Sequence, residues 1–376
     1  MAVPFPGPGE ADQDPPGADE VLLLSRGLTT ATAPADGLSP TQHMLIEAIC
    51  PAMTGHPATF GAPGISAADF AGGLARRTEM FRTRIVQLMV LVALVLRPIP
   101  EEVADRISQF AAELGIDEGM LAVARRFASG SLGLAAIDFE RNGYTAAWHA
   151  ADASALHTSS ELADAWEEVA HDPALAARWA ELESLAPGTL GRRVTEFYRA
   201  RGFTYPGRPG SAPPLLAQHD WVHVLADYGT TVESELEVFA LIARANDDLR
   251  AFSLLAMVVS LFETGYLRRG AGLFESSAGH LSEAGMGTRV ADAMRRGARC
   301  SGSVDFLRTD WFELAALDVE EARRHFGLLA KSAPAQAAGS VGPWEPGGIS
   351  AFQSRTGHQQ AEHDGVAYDD FGARPA

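Results

Sequence analysis

The sequence predicts an all-α protein, two helical domains set between disordered ends, on three observations. Apolar residues recur at offsets of three, four and seven in both halves of the chain. Helix-entry signals (Ser39-Pro40, Pro100-Glu101-Glu102, Thr230-x-x-Glu233) stand where those stripes begin. The strand-to-helix motifs of nucleotide and hydrolase folds are missing, with no Rossmann glycine fingerprint, phosphate loop or nucleophile elbow.

Taken in order, residues 1–36 are acidic and rich in Pro and Gly, a composition that predicts a disordered tail. A helical domain follows over 37–145. Ser39-Pro40 opens its first helix, and Ser66-Ala67-Ala68-Asp69 reads as a capping box. A core helix over 79–96 stops at Pro98. Glu101 begins the next, with Val103, Ile107, Phe110, Ala111 and Leu114 at helical spacing and Gly115 as its end. Ile116-Asp117-Glu118 starts another that runs through Phe127. Residues 146–170 are a polar, Ala-rich linker, 171–330 a second helical domain, and 331–376 a Gly/Pro/Gln-rich tail predicted to be disordered. Within that tail His358 and His363 have no structural role to suggest.

The second domain carries the chemistry. His219-Asp220-Trp221-Val222-His223 sets two imidazoles one helical turn apart, and Glu235 follows. Leu215, Leu216, His219, Val222, His223 and Ala226 share one stripe, so both histidines face inward. Tyr228-Gly229 breaks the helix, and Thr230-x-x-Glu233 reads as the capping box of the next. There Glu235 shares a face with Val238, Phe239 and Ile242, where an ionised carboxylate is costly unless paired or metal-bound. In a chain with eleven histidines a His-x-x-x-His pair alone is a weak signal, and satisfied core histidines are the bland alternative. Asp220 and Glu235 sharpen it into a ligand set of His219, Asp220, His223 and Glu235 for a divalent metal, zinc first with iron as the alternative.

The pattern His-Asp-x-x-His-x11-Glu formed by His219, Asp220, His223 and Glu235 resembles the metal motif of the coenzyme Q biosynthesis protein 4 family. The likeness extends through Pro187–Arg193, Phe197–Gly202 and the run to Gly229, and through Asp310–Leu314 and Val319–Arg323, over about residues 170–328. Ser234 stands where the family has Gly, and Glu237 where it is more aliphatic. The resemblance implies action on prenylated aromatic acids in quinone biosynthesis. It implies removal of a ring carboxylate, with hydroxylation at the same carbon, and organisation of partner enzymes. The expectation is therefore a metal-dependent decarboxylase, oxidative if the metal is iron, acting on a lipophilic aromatic acid. A prenyl-lipid-binding scaffold with a structural metal is the rival class. A metallohydrolase, by analogy with His-Glu-x-x-His helices, ranks third. The first domain is more faintly similar to tellurite-resistance TerB-like helical domains, through Phe81–Arg84, Leu88–Val90 and Phe110–Asp117.

Leu216, Phe239, Ile242, Leu254 and Leu255 supply apolar walls for such a substrate. Arg192 and Arg193, behind Gly188-Thr189-Leu190-Gly191 at a helix start, are candidates to hold its carboxylate or phosphate, against the default of surface arginines. His171-Asp172-Pro173 reads as a helix entry, and Asp247-Asp248 as a solvated helix end. Glu101, Glu102 and Asp105 are explained by the helix dipole more simply than by metal.

Composition narrows the partners. A formal charge of −18 excludes a nucleic-acid binder without a basic patch, and permits a homodimer without indicating one. Lys331 is the single lysine among thirty basic residues, a composition typical of a GC-rich coding sequence. Two cysteines, Cys50 and Cys300, are too few for a disulfide framework and predict a reducing compartment. Residues 1–36 lack the positive region and apolar run of an export signal. Ile85–Leu96, the most apolar stretch, is too short to span a bilayer. The expectation is a cytoplasmic protein, at most peripheral on the inner membrane face.

Overall fold

The computed structural model describes residues 16–117, 119, 121, 122, 124, 172–209, 211, 214–245, 255, 256, 258, 259, 262, 263, 279–300 and 304–375. Essentially all of the regular structure is helical, and the helices fall into two groups. The first holds α1 (Ala18–Thr32), α2 (Pro40–Thr54), α3 (Ala67–Gly73), α4 (Glu79–Ala93) and α5 (Glu101–Glu113). The second holds α6 (Pro173–Glu181), α7 (Leu190–Arg201), α8 (Pro214–Ala226), α9 (Val232–Ala245) and α10 (Met286–Ala298). It continues through the short α11 (Trp311–Leu314), α12 (Val319–His325) and α13 (Ala333–Ala337) to α14 (Ala351–His363).

In the first group α4 is the centre, buried on nearly every face from Phe81 to Ala93, with α1 and α5 packed against it. Its continuous apolar run is the sequence feature that demands this. Ser39 closes the expected capping box with Gln42 at the start of α2. Ser66 accepts from the Asp69 amide at the start of α3, and its hydroxyl bonds the Asp69 carboxylate. Asp172 caps α6 with Pro173 at its first position. The helix expected over 116–127 and the linker over 146–170 lie largely or wholly outside the described residues, as does His171.

Two expectations of disorder are corrected. Residues 18–32 form α1, which buries Val21, Leu24 and Leu28 in the core. Those apolar residues have helical spacing that the Pro/Gly-rich composition of the preceding segment obscures. Residues 331–375 are also folded. After α13 the strand β1 (Pro346–Ile349) pairs in parallel with β2 (Arg374–Pro375), the one two-stranded sheet among the described residues, beside a single antiparallel bridge between Thr189 and Asp318. Ser350 and Gln353 form a capping box at the head of α14, and α14 lies along α7. His358, exposed on α14, lies with its ring centroid 3.8 Å from that of Tyr368. Polar composition conceals this segment because backbone hydrogen bonds, rather than an apolar stripe, seat it.

The groups meet where α10, which packs on α9 within its own group, also packs on α2. Glu237 of α9 and Arg289 of α10 form a buried ion pair at 2.6 Å across the α9–α10 contact. This pairing accounts for an acidic residue at a position where an aliphatic one was expected. No described helix is long and apolar enough to cross a membrane.

Candidate metal centre

The site is assembled from α8 and the first turn of α9. On α8 the four-residue spacing places the His219 and His223 rings on one face, with centroids 5.1 Å apart. The helix ends at Asp227, whose φ of 62° is left-handed, and the Tyr228 amide closes back on the His223 carbonyl at 2.9 Å. The chain then turns tightly into α9. The cap of that helix is Thr231, which accepts from the Ser234 amide at 3.4 Å, and not Thr230 as the sequence suggested. Thr230 is buried, and its hydroxyl is engaged with Arg201 and Gln353.

The turn brings Glu235 between the two imidazoles. Its carboxylate oxygens lie 3.3 Å from His219 Nε2 and 3.1 Å from His223 Nε2. All three residues are buried, His223 completely. His223 Nε2 and Glu235 Oε1 face each other without a hydrogen bond of good geometry to any group, a costly state for buried polar atoms unless something binds there. The other nitrogen of His223 is fixed. Nδ1 lies 2.7 Å from the Gly229 carbonyl, which can only accept, so Nδ1 donates there and Nε2 is the nitrogen left facing Glu235.

Electrostatics favour the ionised carboxylate. Burial acts to raise the Glu235 carboxyl, but the His223 and His219 imidazoles outweigh it and hold it down at about 2. Its place on the first turn of α9 adds the helix dipole in the same sense. Burial raises Asp220 above the ordinary carboxylate range, opposed by both histidines and by Tyr198.

His219, His223 and Glu235 each offer a donor atom within 4.8 Å of the others. Asp220 stands beside them, Oδ1 3.7 Å from His219 Nε2, while its Oδ2 accepts a 2.6 Å hydrogen bond from the Tyr198 hydroxyl. The donor set of two imidazoles and a carboxylate suits zinc or ferrous iron. Among the described residues a second group, Glu233, His280 and Glu283, also brings ligand-type atoms together. Glu233 pairs with His280 Nδ1 rather than acting only as a cap, and Glu283 is 3.8 Å from the same nitrogen. With Glu237–Arg289 one turn further along, the Glu233–His280 contact forms a series of ion pairs on one face of α9.

The remaining candidates are placed as follows. Phe239 stacks on His219 with centroids 5.3 Å apart, and Ile242 and Leu255 are buried. The side chains of Leu215 and Leu216, and residues Asp247, Asp248 and Leu254, lie outside the described residues. Arg192 and Arg193 both pair with Glu196, at 3.3 and 2.7 Å. The Leu190 and Gly191 amides there are taken by the Leu317 and Ala315 carbonyls, so the chain's own groups fill the anion pocket expected at this helix start. Glu101, Glu102 and Asp105 are exposed on α5 and form no such group.

Sequence reasoning did not single out Tyr198 or the Gly229 carbonyl. Tyr198 carried a signal, since it falls on the buried stripe of α7 with Leu190, Val194, Phe197 and Arg201, where a hydroxyl needs a partner. A backbone carbonyl carries none.

No family model matches this chain, and no curated protein does. Among solved structures it is similar to a protein from Nostoc punctiforme described as a candidate ubiquinone biosynthesis protein, at 21% identity, covering 56% of this chain and 97% of that one. The TM-score is 0.30, a distant likeness that does not establish a shared fold.

Proposed function

We propose that this chain binds one divalent metal ion through His219, His223 and Glu235, and acts with it as a decarboxylase of a prenylated or otherwise lipophilic aromatic acid. The observation that carries the metal-binding reading is the convergence of three buried donors, with His223 Nε2 and Glu235 Oε1 facing each other at 3.1 Å without a hydrogen bond of good geometry. Bound there, the metal would supply a Lewis acid able to polarise a substrate oxygen. The substrate class comes from the motif's resemblance and from the apolar surroundings of the donors.

The chain's own residues divide the remaining work. The Gly229 carbonyl keeps the His223 proton on Nδ1. Phe239 covers the face of His219 and excludes water from it. Tyr198 holds the Oδ2 oxygen of Asp220. With a metal bound, three protein donors would leave a coordination position for substrate or water, as in catalytic sites.

A second reading has one observation behind it. Asp220 Oδ1, at 3.7 Å from His219 Nε2, is near enough that a small shift would make it a fourth ligand. A closed four-ligand site is structural, and the chain would then be a lipid-binding scaffold.

Metal analysis of the purified chain beside Glu235→Ala, with mass spectrometry of lipids extracted from both, tests these readings. The expected result is about one metal per chain, lost in the variant, and a co-purified lipophilic aromatic acid that the metal-loaded chain decarboxylates. A wild-type chain without metal overturns both. A metal-loaded chain that retains the lipid unchanged selects the scaffold.

A further inference from the structure

The C-terminal segment reaches the metal centre through backbone groups. Gly229, whose carbonyl accepts from His223 Nδ1, donates its own amide to the Val341 carbonyl at 2.9 Å. The next amide, of Thr230, donates to the Gly348 carbonyl at 3.0 Å. The Thr230 hydroxyl donates to Gln353 Oε1 at 2.6 Å and accepts from Arg201 Nε at 2.8 Å. Arg201 is fully buried and also donates to the carbonyls of Pro343 at 3.0 Å and Gly348 at 2.8 Å.

A second route runs through rings. The Arg201 guanidinium lies 4.0 Å from the centroid of Phe197. Phe197 in turn stacks on His223, with centroids 5.6 Å apart and planes 28° from parallel. The segment that fixes Arg201 therefore also fixes the ring that backs His223.

Resting on the metal-centre reading above, we propose that residues 341–353 are a positioning element of that centre, so that seating this segment and binding the metal strengthen each other. The physical basis is that one peptide unit serves both. That unit joins the Gly229 carbonyl, held by His223, to the Thr230 amide, held by Gly348; if the Thr230 amide loses Gly348 the unit is released to rotate, and the imidazole held by its carbonyl turns with it. Outer partners of ligating histidines change metal affinity by roughly 10- to 100-fold. The coupling is reciprocal, because two equilibria that share a contact shift each other by the same factor.

Gly348 gives access to the coupling away from the ligands. A Cβ there would lie 2.1 Å from the Gly342 carbonyl oxygen and 2.9 Å from that of Glu345, so Gly348→Ala forces the segment to move. The missing Cβ of Gly229 would itself sit 2.8 Å from Gly348 Cα, which shows how closely the two strands of backbone approach.

The experiment is a titration of the full chain with Co²⁺ alone, read by its d–d absorption, on wild type, Gly348→Ala, Thr230→Val and Tyr368→Phe. Thr230→Val keeps the shape and removes only the hydroxyl, which covers the case in which Gly348→Ala does not fold. Tyr368→Phe removes a 2.9 Å bond from α14's flank to the Ala200 carbonyl and leaves the relay intact. Gly348→Ala and Thr230→Val are expected to weaken Co²⁺ by about 10- to 100-fold and to change the band, with Tyr368→Phe unchanged in both. Co²⁺ is expected to slow proteolysis within 341–353 of wild type. Variants that melt earlier but keep the wild-type Co²⁺ affinity and spectrum overturn the coupling, as does an equal effect from Tyr368→Phe. A wild-type chain that takes up no Co²⁺ overturns the metal centre itself, and the coupling with it.

Discussion

The Tyr198 hydroxyl donates to the Asp220 carboxylate at 2.6 Å, joining α7 to α8 inside the core. Both side chains are buried, so neither can exchange this bond for water. Burial, with Asp220 adding to it, pushes the phenol well above its usual range, and the hydroxyl keeps its proton. Tyr198→Phe leaves a buried carboxylate oxygen unsatisfied and is expected to cost about 1–3 kcal/mol. Urea unfolding of the metal-free chain measures this. A variant as stable as wild type would show that the bond contributes nothing.

The Glu237–Arg289 pair predicts a non-additive pattern. Removing one partner leaves the other charge buried and alone, so Glu237→Leu and Arg289→Met are each expected to destabilise by about 3–5 kcal/mol. The double variant restores an apolar contact between α9 and α10 and is expected to lie much nearer wild type. Additive losses in a double-mutant cycle would contradict the pairing.

A pH dependence follows from the neighbouring pair. Burial acts to raise Glu233, but His280, its own amide and Thr231 outweigh it and hold it at about 2, below its ordinary 4.5. A depressed carboxyl contributes stability above about 4.5 that is lost as pH falls toward 2. His280 is raised above its ordinary 6.5, chiefly by Glu233, with Glu283 and Glu263 adding to it against burial. Its contribution is present below 6.5 and lost as pH rises through the folded value. The pair is therefore strongest between about 4.5 and 6.5. Denaturant midpoints for wild type and Glu233→Gln across pH 3–8 should differ most in that window and converge on both sides. A constant offset would mean that the two groups do not titrate as a pair.

Cys50 and Cys300 give a simple check on burial. Burial pushes their thiols up to about 11 and 12, although Ser25 and Arg296 respectively act the other way. Almost no thiolate exists at pH 8, and access is closed. A thiol reagent is expected to label the native chain only at the rate of its unfolding, and both cysteines at once in denaturant. Rapid labelling of either in the native state would contradict its placement.

The parts of the site legible in the sequence are those fixed over short distances. His219, His223 and the turn that brings Glu235 back follow from helical spacing and one break in the chain. Tyr198 lies 22 residues from Asp220, and no local pattern links them. The Thr231 cap was missed by one residue because Thr230 and Thr231 offer the same hydroxyl, and only the C-terminal segment, by engaging Thr230, distinguishes them. That segment was illegible for a deeper reason. Its contacts use the carbonyls of Val341, Pro343 and Gly348, groups that every residue carries.

The same reasoning accounts for α1, and there it can be tested directly. Averaged with the Pro/Gly-rich residues before it, the segment reads as disordered, yet Val21, Leu24, Leu28 and Ala31 have the spacing of one helical face and are all buried. If α1 were a loosely attached arm, truncating Leu28 would cost little. If it belongs to the core with α4 and α5, Leu28→Ala removes the transfer energy of the side chain and leaves a cavity beneath it. The expected loss is about 2–5 kcal/mol, against about 0.5 kcal/mol or less for truncation of the exposed Val366 near the other end. Denaturant unfolding of Leu28→Ala and Val366→Ala decides between the two, since equal small losses would place α1 outside the cooperative core.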